Sequence, residues 1–443
     1  MPIINRCNFM LSRRWKFVSA AGALALLLSA CSGSSSLNDE GIVAQDDDTQ
    51  NDDTQIGSAG RLALYDSDDS AVAVLDLDSE TTLQRFALAG GEPRLYTSPD
   101  KRYAVVIQRD DNQVSFIDSG LHTDDHGSHL HEQADAPELL DFTLSGSRPT
   151  HYSAHGEYGV IFFDAEEGVP STVTVLSESD VSSALVAGEL TLTNSMHGAA
   201  KFVDEHLFVT YRDPSITDTV LPASIERYAF VDGVFSFEQR YDEACPLLHG
   251  NAANEELIAF GCGDGVLIID LMQEGYPATK LANPESIAED SRIGTVIAHA
   301  ALDEVIGVAG DQVFVIDPDA EPAFLELPFP DGVSIVAQGF NVDGETYYIV
   351  GDNGMLYLYD VMADWRPLIP VAVADRVGEE DIAPIVVSSG ADDRLFVLNT
   401  NGQQLLEVDG IDGAVVRTID LGYTATSIAW LGLSNSNDHD QYD

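Results

Sequence analysis

The chain has 443 residues and a formal net charge of −53, with 74 acidic residues against 21 lysines and arginines. Long-range repulsion from that charge excludes nucleic acid or an acidic membrane surface as the principal partner. The same field gathers divalent cations near the surface but specifies no site, and it equally suits the solvated surface of a salt-adapted organism.

The N-terminus carries an address. Arg6, Arg13, Arg14 and Lys16 lead into a short apolar run, Phe17 to Leu28, that is too short for a permanent membrane span. It ends in Leu28-Ser29-Ala30-Cys31, which resembles the bacterial lipobox. Residues 1–30 are therefore expected to be a lipoprotein signal peptide, with Cys31 carrying lipid; an ordinary cleaved signal with Cys31 free is the alternative. Ser32, not Asp, follows the cysteine, so the expected location is periplasmic, anchored by acyl burial at the outer membrane. Residues 31–60 are Ser-rich, then Asp-rich (Asp46, Asp47, Asp48, Asp52, Asp53), and lack aromatic side chains. They read as a disordered acidic tether.

From residue 61 to 432 short Val/Ile/Leu/Phe/Tyr runs alternate with Asp/Gly/Asn turns, and no long amphipathic helix interrupts them. Runs such as Tyr103 to Gln108, Gly159 to Asp164, Leu257 to Gly261 and Tyr347 to Gly351 recur with a period of about 40 to 50 residues. A further run ending in aspartate often follows, as in Val114 to Asp118, Val266 to Asp270 and Leu356 to Asp360. Four strands at this period predict an all-β fold, a β-propeller of eight four-stranded blades, with seven as the alternative count. Thr426 to Trp430 reads as an innermost strand that closes the ring on the blade begun at the N-terminus. Residues 433–443 form a polar tail, in which His439 faces solvent.

The eleven histidines are not evenly spread. Leu121 to Glu132 reads LHTDDHGSHLHE and brings His122, His126, His129 and His131 together with Asp124 and Asp125, imidazoles and carboxylates being ligands for borderline divalent metals. The stretch lies between the third and outer strands of the second blade, where a few residues normally suffice, and extra length there points to function. It emerges at the same end of the ring as His155, either as a second site or as a flap over the channel. The alternative is a solvated polar loop.

A second set comes from strand register. Pro93 to Ser98 resembles the inner strand of YVTN-type propeller repeats. Pro149 to Ser153, Met196 to Ala200 and Leu248 to Ala252 align with it. In that register His151, His197 and His249 occupy one equivalent position on three consecutive blades, facing the central channel. His299 lies two residues deeper, where a channel hydrogen bond is expected, and His206 reads as structural. Cys245 and Cys262 remain once Cys7 and Cys31 are assigned to the leader and the lipid. In an exported chain they are expected to pair, across neighbouring strands that turn near Asn254.

Together, the histidine-rich stretch, the Pro149-Thr150-His151 run with His155, the His197-Gly198 pair and Cys245-Pro-Leu-Leu-His249-Gly with Phe260-Gly-Cys262 resemble the AztD-type periplasmic zinc metallochaperones. The resemblance spans about Tyr103 to Asp270. It implies a zinc carrier, not an enzyme, that delivers zinc to the solute-binding protein of an ABC importer. It also implies zinc ligands among His122, Asp125, His126, His129, His131, His151, His155, His197 and His249. Residues 32–60 contain no histidine, unlike the N-terminal segment of that family, and a lipid anchor is a second departure. A tethered zinc store fits both. Neutral imidazoles would bind the ion tetrahedrally and weaken as pH falls below about 6.5. Two rival classes are a non-enzymatic propeller scaffold of the cell envelope and a lactonase-like metal hydrolase. Such hydrolases favour oxygen-held calcium, and no nucleophile elbow or serine triad occurs here.

Overall fold

The computed structural model describes residues 57–125, 130–288, 291–379 and 381–434. The expected signal peptide, Cys31, nearly all of the tether, His126, His129 and His439 lie outside the described residues.

Eight sheets follow one another around a ring, and each is a blade of antiparallel strands. Blade 1 contains Arg61–Asp66, Ala71–Asp76 and Thr81–Ala87, with Ala425–Leu431 as its innermost strand. The C-terminal strand therefore closes the ring, in the register Arg61 with Leu431 and Leu62 with Trp430. Blades 2 to 8 begin with the inner strands Arg94–Thr97, Pro149–His155, Ala200–Val203, Asn251–Ala253, Thr295–Ile297, Ile335–Phe340 and Ile385–Ser388. Blade 7 splits its outer strand into two short pieces, Arg366–Pro367 and Val371–Ala372, both paired with Met355–Asp360.

The apolar runs are continuous because each blade is covered on both faces. Tyr103–Gln108 and Leu257–Cys262 are buried at every position, whereas the outermost Thr81–Ala87 is almost wholly exposed. Eight apolar clusters fill the spaces between neighbouring blades. One joins Leu62 and Trp430 of blade 1 to Phe396 of blade 8, and another joins Phe208 of blade 4 to Phe260 of blade 5. The recurrent strand-ending aspartates close turns: Asp66, Asp76, Asp118, Asp270 and Asp409 each accept a hydrogen bond from a backbone N–H two or three residues on.

The extra length in blade 2 is itself structured. Leu121–Asp125 pairs antiparallel with Leu130–Ala134, a hairpin inserted between Gln113–Asp118 and Glu138–Ser145. Arg61, 4 % exposed, ties its base by donating to the carbonyls of Ser119 and Asp135. Glu132 accepts from the backbone N–H of Gly57 and Ser58, so the chain enters the propeller beside this hairpin.

Cys245 and Cys262 form a disulfide, buried between blades 4 and 5. Cys262 lies on Leu257–Cys262 as expected, and the turn falls at Asn254, whose Oδ1 accepts from Glu256 and Leu257. Cys245, however, precedes the inner strand and belongs to no strand. The pairing continues past the strand end instead, with His249 N–H donating to Gly261 O and Gly263 N–H to Pro246 O.

Candidate metal site

His151, His197 and His249 meet at the start of three neighbouring inner strands. Each offers a ring nitrogen, and these nitrogens all lie within 4.8 Å of one another. His151 sits in its strand just past a register shift that follows Pro149. His197 and His249 lie in the segments leading into theirs. Each is followed by a glycine that the crowding requires. A Cβ at Gly198 would stand 2.4 Å from Thr210 Oγ1 and 2.5 Å from Phe162 Cζ. Gly250 has φ +76°, and a Cβ there would approach Gly294 O to 2.8 Å.

The hydrogen bonds set the tautomers. His197 Nδ1 donates to Asp164 Oδ2 at 2.8 Å, and His249 Nδ1 donates to Gly294 O at 2.8 Å. Both rings then present a bare Nε2 lone pair inward, the arrangement by which a carboxylate or carbonyl orients a ligating histidine. Asp164 is 5 % exposed and is itself held by Arg109, whose Nη2 lies 3.4 Å from it and whose Nε donates to Thr150 Oγ1 at 3.0 Å. His151 Nε2 faces His197 Nε2 at 3.2 Å. Two lone pairs at that distance repel unless a cation or proton lies between them. Two nitrogens bound tetrahedrally to one zinc at about 2.0–2.1 Å would stand about 3.3 Å apart. Burial, and then the neighbouring His197, hold the His151 imidazole neutral by lowering its pKa to about 4. For this ligand, proton competition therefore begins well below the 6.5 of an ordinary histidine.

The three rings line a cavity of about 340 Å³ together with Ser153, Lys201 and Asn251. Among the described residues no other cluster of histidine, cysteine and carboxylate side chains has ligand spacing.

The remaining sequence-predicted residues lie elsewhere. His155 ends the strand Pro149–His155 that carries His151 near its start, so it stands toward the other end of the channel, where burial and then the Lys201 charge lower its pKa to about 4. The hairpin with His122 and His131 follows a strand that runs parallel to the inner one, so it too emerges at that far end. His122 and His131 share one face of it, being paired with Gln133 and Asp124 respectively. Asp125 closes the first hairpin strand; its side chain lies outside the described residues. His299 follows the blade 6 inner strand, with Nε2 3.0 Å from Val342 O, and His206 Nδ1 bonds Asp204 O. Sequence reasoning did not find Asp164 or the Gly294 carbonyl. Asp164 looks like any other strand-ending aspartate, and a carbonyl leaves no trace in the sequence.

The fold and this pocket define a class: an eight-bladed propeller with three imidazole nitrogens converging at one mouth of its channel. The chain is homologous to a zinc chaperone. Over 312 residues, 69 % of this chain and 70 % of the relative, it is 27 % identical to the zinc chaperone AztD of Citrobacter koseri. Two solved structures of Citrobacter koseri AztD, one of them the apo protein, superpose with TM-score 0.72 at 24 % identity, covering 84 % of this chain and 98 % of theirs. The dihydro-heme d1 dehydrogenase NirN shares the fold alone, with TM-score 0.56 at 13 % identity over 84 % of this chain and 75 % of its own. No protein-family model matches the chain.

Proposed function

We propose that the protein is a zinc metallochaperone of the periplasm, not an enzyme, which carries zinc in its channel and delivers it to the solute-binding protein of an ABC importer. The observation that carries this reading is the convergence of three imidazoles, two of them with Nδ1 committed to Asp164 and Gly294, on one point. The homologous zinc chaperone supports the cargo. We extend the proposal to the address: residues 1–30 are a signal peptide, Cys31 carries lipid, and residues 31–60 tether the propeller (61–432) to the outer membrane, with 433–443 as a tail. The hairpin that carries His122 and His131, with Asp125, His126 and His129 as further candidates from the sequence and together with His155, is then a separate acceptor or exchange surface, a reading that the strand direction supports.

The test is elemental analysis of residues 60–443, purified without affinity histidines, before and after chelation, beside a His197→Ala, His249→Ala double variant. Near-stoichiometric zinc that is lost in the variant is expected. Wild-type protein that holds no metal and takes up none from added zinc would overturn the reading.

A further inference from the structure

Lys201 is one of four lysines in a chain with 74 acidic residues, and it is 7 % exposed. It lines the same cavity as the three histidines. Among the described residues, no carboxylate or carbonyl accepts a hydrogen bond from its ammonium group. Burial lowers its pKa only to about 8, so at neutral pH it is mostly a cation without a counter-ion. A buried unpaired charge is expensive, and a zinc ion in the same cavity adds like charge to it. Asn251 also lines the cavity, two residues beyond His249, and its Nδ2 is buried without a hydrogen-bond partner. An unmet cation and an unmet amide donor in one pocket describe an anion-binding surface.

The metal position points the same way. Three imidazoles leave one vertex of a tetrahedron open, and among the described residues no fourth histidine, cysteine or carboxylate joins the cluster. Lys201 lies four residues along the chain from His197, a Cα separation of at most about 13 Å, and its charge also acts on His155. A molecule spanning that gap needs an anionic group at each end.

We propose that the channel binds a small dicarboxylate, with one carboxylate occupying the fourth position on the zinc and the other accepting from Lys201 Nζ and Asn251 Nδ2. This rests on the zinc reading above, and it gives the cargo a ligand that a receiving protein can displace.

Succinate, a weak zinc chelator in free solution, is the probe. It is titrated by calorimetry into the metal-free protein, the zinc-loaded protein and the zinc-loaded Lys201→Met and Asn251→Ala variants. The cobalt(II)-loaded protein is titrated in parallel and followed by its visible ligand-field bands. The expected result is saturable binding to the zinc-loaded wild type, at least tenfold weaker in Lys201→Met with zinc content unchanged, and a succinate-dependent change in the cobalt bands. Asn251→Ala keeps the test alive should Lys201→Met misfold, and is expected to weaken binding at least threefold. Succinate that fails to bind zinc-loaded wild type, or that binds both variants equally well, overturns the proposal. If the protein takes up no zinc, the zinc reading fails separately. The anion site is then decided on metal-free protein, where binding weakened by Lys201→Met sustains it and no binding removes it.

Discussion

Asp164 does not touch the zinc in the proposed scheme, yet it fixes which nitrogen of His197 faces it. Asp164→Asn keeps the shape, removes the charge and can present its amide N–H to Nδ1, which favours the wrong tautomer. Loss of such a partner typically costs 10–100-fold in metal affinity, so zinc competition against a chromogenic chelator should report a fall of about that size. His151 and His155 set a pH dependence in the metal-free protein. Both imidazoles have pKa values lowered to about 4 by burial. A depressed histidine leaves stability intact above its unfolded value of about 6.5. The unfolded chain takes up the proton first as pH falls, so stability is lost between about 6.5 and 4. For half-buried rings this amounts to about 1–2 kcal/mol each at pH 5. Urea unfolding at pH 7.5 and 5 should show the loss, and His155→Gln should remove its share. The trio was legible in the sequence because the repeat places His151, His197 and His249 in one register. Their orienting groups were not, because turn-closing aspartates such as Asp66, Asp118 and Asp270 mask Asp164, which turns inward, and the Gly294 carbonyl has no sequence signature.

The disulfide acts on an element. Cys262 is the neighbour of Gly261, whose carbonyl accepts from His249 N–H, and Cys245 begins the segment that carries His249 into the channel. The bond closes a loop of 17 residues' separation, for which chain entropy gives about 3 kcal/mol. Cys245→Ser with Cys262→Ser should therefore melt several degrees lower and bind zinc more weakly. A variant that melts lower yet binds zinc as tightly would show that the bond supports the sheet and not the ligand. The pairing itself followed from compartment and count. The position of Cys245 outside any strand did not, because strand ends blur where ladder bonds continue through residues of irregular backbone. The hairpin in blade 2 shows the same limit. Its excess length was plain, but LHTDD and LHEQA are polar on both faces and carry none of the alternation that marks a half-buried strand.

At the scale of the molecule, the eight-bladed ring was legible from the period and from the long apolar runs that two-sided burial demands. A large side chain packs at its closure. Trp430, 2 % exposed, packs in the cluster between blades 1 and 8 and donates from Nε1 to Ala59 O. Trp430→Ala should cost about 3–5 kcal/mol, measured by equilibrium unfolding. The surface charge should also make stability rise with moderate salt, as screening relieves self-repulsion. The joint made by Arg61–Asp66 and Ala425–Leu431 has a further bearing on biogenesis. Blades 3 to 5, which hold the three histidines, are contiguous in the chain and emerge in the middle of synthesis. Blade 1 is among the first segments made, yet it stays a strand short until residue 431 arrives. Its bare edge is the kind of surface that proteases and chaperones recognise, so a nascent or truncated copy can assemble a metal pocket and still be marked as unfinished.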